Sequence, residues 1–426
     1  MLQVSFIRTR KEQVIEGLKK RNFPEKDLQI VEDILQLDDA RKQVQAELDQ
    51  ALAERNTLSK EIGDLMKQGQ REAAETRKSR VAALKDTAAA HEERKKQIEN
   101  QLEELLLRLP NIPHASVPFG KTPDDNEVYK DWSKPLPQLP PDALPHWELA
   151  AKYRIFDLEL GVKLTGAGFP VYRGQGAKLE RALISFFLDE ATNAGYEEII
   201  PPLLVNEDTA RATGQLPDKE GQMYFVERDN LYLIPTAEVP VTNIYRDEIL
   251  NESDLPVRLT GYTPCFRREA GSYGAHVRGL NRVHQFDKVE IVRIEHPNRS
   301  YEALYEMLAH VEGLLDKLER PYRILRLCGG DMGFTSALTF DFEVWSAAQQ
   351  RWLEVSSVSN FETFQTNRMK LRFRDADKKI QLAHTLNGSA LALARIVAAL
   401  LENNQTPMGV VIPKALQPYT GFEMIV

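Results

Sequence analysis

Residues 28–109 contain no proline and repeat apolar side chains on a heptad, which restricts this stretch to long α-helix. Ile34, Leu37, Val44, Leu48, Ala51, Leu58, Ile62 and Leu65 fall at alternating a and d positions, with Arg41 and Arg55 as exceptions. A second stripe runs through Val81, Leu84, Ala88, Ile98, Leu102, Leu105 and Leu109, interrupted by His91 and Lys95. Two such stripes flanking Gly69-Gln70 predict an antiparallel helical hairpin. Helices of about 38 residues at ~1.5 Å rise make an arm of roughly 55–60 Å. That exceeds the radius of a compact domain, so the tip is expected to stand in solvent.

The hairpin's charge is uneven. Residues 60–85 hold seven Lys/Arg and four Asp/Glu, a local +3, whereas residues 28–59 hold three and seven, a local −4. The whole chain carries 55 Lys+Arg against 63 Asp+Glu, a formal −8. Bulk charge therefore does not point to nucleic acid, and any such surface must be a local patch. A positive tip on a negative chain suits a phosphate backbone. Exposed heptad charges also simply keep a helical hairpin soluble, and charge alone leaves both readings open.

Residues 110–145 hold nine of the 23 prolines, which excludes long helices and central strands there. This stretch is expected to be a connector between an N-terminal arm, 1–109, and a globular region, 146–426. In the globular region a helical pattern covers 177–194. Strand-like segments cover 223–226, 231–234, 259–266, 288–292, 322–327, 339–345 and 352–356. Helices are expected over 302–318 and 390–402. The strands lack the regular intervening helices of βαβ units, so the fold class is α+β: an antiparallel sheet flanked by helices, with a two-helix coiled-coil arm before it.

Residues 1–30 carry charges throughout and lack the apolar core of a secretory signal. No stretch approaches the ~18 apolar residues of a membrane helix; the nearest, 390–401, is interrupted by Arg395. Two cysteines, Cys265 and Cys328, without a CxxC argue against a disulfide framework or a zinc site. The expectation is a cytoplasmic protein, off the membrane, with neither zinc nor an organic cofactor.

The sequence has no GxxxxGK[ST], no GxGxxG after a strand, no GxSxG and no HExxH, so any nucleotide must bind without a P-loop. A lone cysteine in an apolar strand such as Cys265 reads as packing. Polar residues able to do chemistry concentrate instead in Thr263-Pro264-Cys265-Phe266-Arg267-Arg268-Glu269-Ala270-Gly271, a Gly-rich polar loop to Arg278, and Arg282-Val283-His284-Gln285-Phe286-Asp287-Lys288-Val289-Glu290. This is a strand, a loop and a returning strand. Alternation puts Arg267 and Glu269 on one face, and Arg282, His284 and Phe286 on one face of the return. An arginine fork on a rigid strand matches phosphate oxygens, and a nearby aromatic can stack a base. Taken alone, Arg-x-Glu on a strand is commonly a cross-strand ion pair; the whole spacing is far more specific.

The segment Phe266-Arg267-Arg268-Glu269-Ala270-Gly271-Ser272-Tyr273-Gly274, then Arg278-Gly279-Leu280 and His284-Gln285-Phe286, resembles motif 2 of class II aminoacyl-tRNA synthetases in its seryl form. Pro235-Thr236-Ala237-Glu238, Cys328-Gly329-Gly330-Asp331-Met332-Gly333, Glu354-Val355-Ser356-Ser357 and Thr385-Leu386-Asn387-Gly388-Ser389 agree with seryl-tRNA synthetases in order and spacing. The resemblance spans essentially the whole chain, and the hairpin is similar to the family's tRNA-binding arm. It implies a serine–tRNA ligase that uses ATP to form seryl-adenylate, then loads the 3′ end of tRNA(Ser), and of tRNA(Sec) where the organism has one. It also implies a homodimer with Pro201-Pro202 at the interface.

Residue by residue, the resemblance implies that Arg267 holds the α-phosphate, Glu269 meets the adenine amino group, Phe286 stacks on adenine and Arg282 holds the γ-phosphate. Arg395 matches the motif 3 arginine, and Arg267, Glu269 and Arg395 are the implied catalytic set. Arg268, Val283, Val355 and Ser356 complete the implied ATP site. Glu354 and Ser357 resemble the pair that supports Mg²⁺, an ion suited to hard oxygen ligands. Thr236, Ala237 and Glu238 resemble the loop for the amino group of L-serine, with Glu290 and Ser389 as the remaining serine contacts.

The sequence departs from the family pattern twice. Ala390, Leu391, Ala392, Leu393 and Ala394 precede Arg395 where glycines are common, which is expected to favour the helix there. Val358 stands where cysteine is frequent, and a packing role is expected for it. Two other functions remain in view. One is a synthetase-like paralogue that loads a carrier protein, though relatives of that kind lack the long arm. The other is a non-catalytic coiled-coil scaffold, which would need none of Arg267, Glu269, Arg282, Glu290, Glu354 and Arg395.

Overall fold

A computed structural model describes residues 1–139, 141–218, 220–269 and 277–426 and divides the chain into two compact units, residues 1–110 and 111–426. The first is helical: α1 (Val4–Thr9), α2 (Lys11–Lys20), α3 (Ile30–Lys67) and α4 (Arg71–Arg108). The two long helices have 38 residues each and meet at Gly69, whose φ of +75° suits a residue without a Cβ. Ion pairs Glu54–Arg80 and Glu61–Arg77, with a Glu47–His91 contact at 3.5 Å, join them rung by rung and fix an antiparallel register. Between them Ala51, Leu58 and Leu84 form a buried seam.

At the base of the hairpin the heptad stripe is not followed. Leu35 and Asp38 are buried there, and Leu37 only half so. The cause is α1, a helix the sequence did not announce, whose Arg8 donates to Asp38 at 2.9 Å beside Arg41 and Lys42. Burial works to raise the Asp38 carboxyl, but hydrogen bonds from Lys42, Arg41 and Arg8 outweigh it and hold it at about 2.

The second unit is built on an eight-stranded sheet. Its strands are β1 (Glu127–Lys130), β2 (Glu197–Glu198), β3 (Val257–Phe266), β4 (Gln285–Glu295), β5 (Tyr322–Arg326), β6 (Leu338–Ser346), β7 (Arg351–Glu362) and β8 (His384–Ala392). Their order is β1-β5-β6-β7-β8-β4-β3-β2, antiparallel throughout except for the edge pair β2–β3. The helices that matter for the site are α5 (His146–Tyr153), α6 (Gly174–Asn193), α7 (Glu238–Thr242), α8 (Ser300–Lys317), α9 (Phe364–Met369) and α10 (Leu393–Asn403). Leu183 and Phe187 of α6, Leu304 and Leu308 of α8, and Ile396 and Leu400 of α10 bury against Ile291, Phe340 and Phe342 of the sheet. Along β4, period 2 sends Val289 and Ile291 into this core and turns Phe286, Lys288 and Glu290 to a cavity.

The α+β class and antiparallel sheet hold, with one correction near the C-terminus. Ala390, Leu391 and Ala392, expected in a helix, end β8; α10 starts at Leu393. Residues 385–391 are all buried, lying on the central strand between β7 and β4. Thr385, Asn387 and Ser389 alternate with Leu386, Gly388 and Ala390, but from Ala390 on the strand is small or apolar throughout, and that run reads like the start of the helix that follows. The alanines that replace glycines before Arg395 therefore act on a sheet rung as well as on the first turn of α10.

The proline-rich stretch is laid onto the second unit rather than left free. Ile112 and Val117 are buried, Asn111 donates to the carbonyls of Thr335 and Phe361 at 2.9 and 2.8 Å, and β1 pairs with β5 at the sheet edge. Among the described residues, no helix is long and apolar enough to cross a membrane.

Candidate active site

Residues of β4, β5, β6, β7 and β8 line a cavity of about 880 Å³. Thr236, Glu238, Arg267, Glu269, Arg282, Val283, Phe286, Glu290, Glu354, Val355, Ser356, Ser357, Ser389 and Arg395 all line it, although they come from segments up to 160 residues apart. Two expected residues do not. Ala237 is fully buried before α7, and Arg268 is exposed, its backbone N–H bonded to the carbonyl of Gln222. Residues 270–274 of the quoted loop lie outside the described residues.

One end of the cavity is cationic. Arg267 follows β3, its backbone N–H still donating to the carbonyl of His284 at 2.9 Å. Its Nε donates to the carbonyl of Pro235 at 3.3 Å, and its guanidinium lies 5.2 Å from the centre of the Phe286 ring. Glu269 does not share a strand face with Arg267, because its φ of +49° ends the extended chain. It turns to Arg282, which precedes β4, and pairs with it at 3.1 Å. Arg395, in the first turn of α10, donates from Nε to the carbonyl of Asn281 at 2.9 Å and from Nη1 to that of Glu354 at 2.7 Å. The Glu354 carboxylate lies 3.7 Å away. Three guanidiniums thus converge on one end, held largely by backbone carbonyls and ready for phosphate oxygens.

The other end is buried and carboxylate-rich. Glu290 of β4 faces Ser389 across the β4–β8 ladder, and Thr236 sits over it, donating to Glu290 Oε2 at 2.9 Å. Lys288, two residues along the same strand face, donates to Thr236 Oγ1 at 2.8 Å and is ion-paired with Glu290. The Glu290 charge is therefore balanced from within the chain. Glu238 differs. Its backbone N–H is capped by Thr236 Oγ1 at 3.2 Å, and Gln365 of α9 donates to its Oε1 at 2.6 Å. It forms no ion pair among the described residues. Burial, then the Glu290 charge, push its carboxyl up to about 7 against the bonds from Gln365 and Asn387.

Lys288, Gln365 and Asn387 were not singled out in the sequence. Lys288 and Asn387 could have been: each stands two residues from a predicted ligand, Glu290 or Ser389, and so shares its strand face. Gln365 has no such signal, since it lies 127 residues from Glu238 and only the fold brings the two together.

Between the two ends lie Glu354 and Ser357, with Asp341 facing Ser357 across the β6–β7 ladder. Burial, then the charge of Glu354, push the Asp341 carboxyl well above its usual range. Its Oδ1 is buried without a hydrogen-bond partner. A carboxylate, a hydroxyl and an orphaned carboxylate oxygen fit a hard cation. Among the described residues, no three His, Cys, Asp or Glu side chains are grouped to hold a metal by themselves. That fits an ion carried partly by a ligand's own oxygens.

A largely antiparallel sheet with the Arg267 guanidinium over the Phe286 ring, and no P-loop, fits the class II aminoacyl-tRNA synthetase core. Accordingly, the family model for the tRNA synthetase class II core domain (G, H, P, S and T) matches residues 224–404, and that for the seryl-tRNA synthetase N-terminal domain matches residues 1–113. The chain is 52% identical to the serine–tRNA ligase of Salinibacter ruber, covering 100% of this chain and 99% of that one. It is 47% identical to the serine–tRNA ligase of Prosthecochloris aestuarii, with the same coverage. A crystal structure of seryl-tRNA synthetase from Pyrococcus horikoshii complexed with ATP superposes with a TM-score of 0.92 at 35% identity, covering 100% of this chain and 99% of that one. The chain belongs to the seryl-tRNA synthetase family.

Proposed function

We propose that this protein activates L-serine with ATP and transfers it to tRNA(Ser). The observation that carries the substrate is the contrast between two buried carboxylates. Glu290 is already paired with Lys288, so it can accept a hydroxyl hydrogen bond but gains little from a second cation. Glu238 is buried and forms no ion pair among the described residues; the charge of Lys288 only partly offsets its burial, and the ammonium of an amino acid supplies a direct partner. A small zwitterion bearing a hydroxyl matches both, with Thr236 and Ser389 beside it. Alanine lacks the hydroxyl that would add a hydrogen bond to Glu290, and threonine must be rejected by the space its methyl needs.

At the cationic end Arg267, Arg282 and Arg395 receive the phosphates of ATP, and Phe286 and Glu269 hold the adenine. Arg282 would exchange its present partner, Glu269, for phosphate oxygens. The serine carboxylate attacks the α-phosphorus and pyrophosphate leaves. Arg267 lowers the barrier by balancing charge that grows in the transition state. Glu354 and Ser357, with Asp341 behind them, would hold Mg²⁺, which would supply neutralisation of the phosphate charge. The terminal ribose hydroxyl of the tRNA then attacks the activated carbonyl. No side chain need become a nucleophile, and positioning carries much of the rate.

The first unit would grip the tRNA by shape and backbone charge, for tRNA(Sec) as well as tRNA(Ser). A cytoplasmic homodimer is part of the same proposal. It is supported by the edge strand β2 and by Ile200, two residues beyond it, which is 88% exposed beside Pro201-Pro202. The test is charging of purified tRNA(Ser) with serine, threonine and alanine in parallel. Charging by serine alone is expected; transfer of the amino acid to a carrier protein and not to tRNA would overturn the proposal.

A further inference from the structure

His146 opens α5, and its side chain is fully buried beyond the cavity wall, paired with the equally buried Glu402 of α10. The backbone N–H of Leu280 donates to His146 Nε2 at 2.8 Å. That nitrogen therefore accepts, which places the ring proton on Nδ1, where it is donated to Glu402 Oε1 at 2.7 Å. The same oxygen takes Gln349 Nε2 at 2.9 Å and the His146 backbone N–H at 3.0 Å, and Ser346 donates to Oε2. Glu402 is thus saturated, and the imidazole is locked in one orientation and one tautomer.

The segment that docks on this ring is the returning limb of the ATP-binding loop. Gly279 has φ +70°, and a Cβ there would lie 2.2 Å from His146 Nε2. A glycine is needed for the backbone to descend far enough for Leu280 to reach the imidazole. On one side of the contact the Arg278 guanidinium lies 4.7 Å from the centre of the Trp147 ring. On the other, Asn281 Nδ2 donates to Gln349 Oε1 at 2.9 Å, and the Asn281 carbonyl accepts Arg395 Nε at 2.9 Å. Arg282 comes next in the chain.

We infer that His146 is a positioning residue for ATP: by holding Leu280 it sets both Arg282, two residues along, and Arg395, which reads its position from the Asn281 carbonyl. This rests on the proposed role of those two arginines. The imidazole touches neither arginine and does not line the cavity. Its effect passes through one buried N–H bond and the backbone it fixes.

Two substitutions in the full-length protein divide the ring's two bonds. In His146→Asn the amide nitrogen stands near the place of Nδ1 and still meets Glu402, but nothing accepts from Leu280. In His146→Gln the amide oxygen stands near the place of Nε2 and still accepts from Leu280. KM for ATP and for serine are measured in serine-dependent ATP–pyrophosphate exchange, together with the melting temperature. His146→Asn is expected to raise KM for ATP by about tenfold or more, the effect of leaving a buried donor unpaired at the loop, while KM for serine stays within about twofold. His146→Gln is expected to restore most of the ATP affinity. Gly279→Ala, which pushes the backbone off an intact His146, is expected to behave as His146→Asn does.

Unchanged KM for ATP in both His146→Asn and Gly279→Ala would overturn the inference. So would equal rises in both KM values that follow the loss of melting temperature, since those mark a role in the fold alone. Arg282→Ala and Arg395→Ala are run beside them. Wild-type KM for ATP in these two would overturn the role given to the arginines, a failure distinct from that of the histidine anchor.

Discussion

Glu238 gives the sharpest prediction about the serine end of the cavity. Its carboxyl is raised to about 7 by burial and by Glu290. Without ligand it therefore passes from mostly protonated to mostly ionised across neutral pH. Only the ionised form pairs with an ammonium. With a pKa near 7, the ionised fraction rises from about 9% at pH 6 to about 91% at pH 8. Serine should therefore bind about tenfold more tightly at pH 8 than at pH 6, about 1.4 kcal/mol. The sign is that of a raised carboxyl: affinity is lost as pH falls through 7, while the serine amino group stays protonated over the whole range. Calorimetric titration with serine from pH 6 to pH 8 reads this directly. Glu238→Gln should bind serine about 10- to 100-fold more weakly at pH 8, the loss of a charged hydrogen bond, and should lose the pH slope. A flat profile in the wild type, or the same slope in Glu238→Gln, would refute the assignment of the ammonium to this residue.

Gln365→Leu removes the 2.6 Å bond that favours the ionised form of Glu238. Its serine affinity at pH 7 is expected to fall about tenfold and to recover in part at pH 8.5; equal loss at both values would contradict this. Glu180 in α6 has both carboxylate oxygens buried without a hydrogen-bond partner, and burial, then Asp287, raise its carboxyl well above the usual range. Its ionisation costs stability as pH rises above the unfolded value, so Glu180→Met should unfold at higher denaturant than wild type at pH 8, by about 1–3 kcal/mol, with the gain shrinking toward pH 5. A gain independent of pH would mean that the Glu180 carboxyl ionises alike in the folded and unfolded chain, and would contradict the shift assigned to its burial. Deletion of residues 30–108 is expected to leave adenylate formation intact and abolish tRNA charging; loss of both would tie the arm to the first step as well.

What the sequence made legible depended on how far apart the interacting residues lie. The hairpin rests on contacts between helices joined by a three-residue turn, and its heptads fix its limits within a residue or two. It misled only at the base, where Arg8 draws Asp38 inward and shifts the buried stripe. Strands β3 and β4 were readable from their β-branched and aromatic residues. The end of β8 was not, because Ala390, Leu391 and Ala392 run without a break into the apolar start of α10. Within the site, the motif residues point to the same cavity, yet strand alternation misplaced Glu269, whose left-handed backbone turns it to Arg282. Gln365 and His146 act through partners more than a hundred residues away, and no local pattern encodes such pairings.

The central claim is that this cavity joins serine to ATP, and serine-dependent ATP–pyrophosphate exchange tests it most directly, with threonine, alanine and glycine beside serine and Arg267→Ala beside the wild type. Exchange with serine alone is expected, falling by about 10²–10³ in the variant, as when one preorganised donor to the developing charge is removed. Exchange absent for every amino acid, or undiminished in Arg267→Ala, would contradict it.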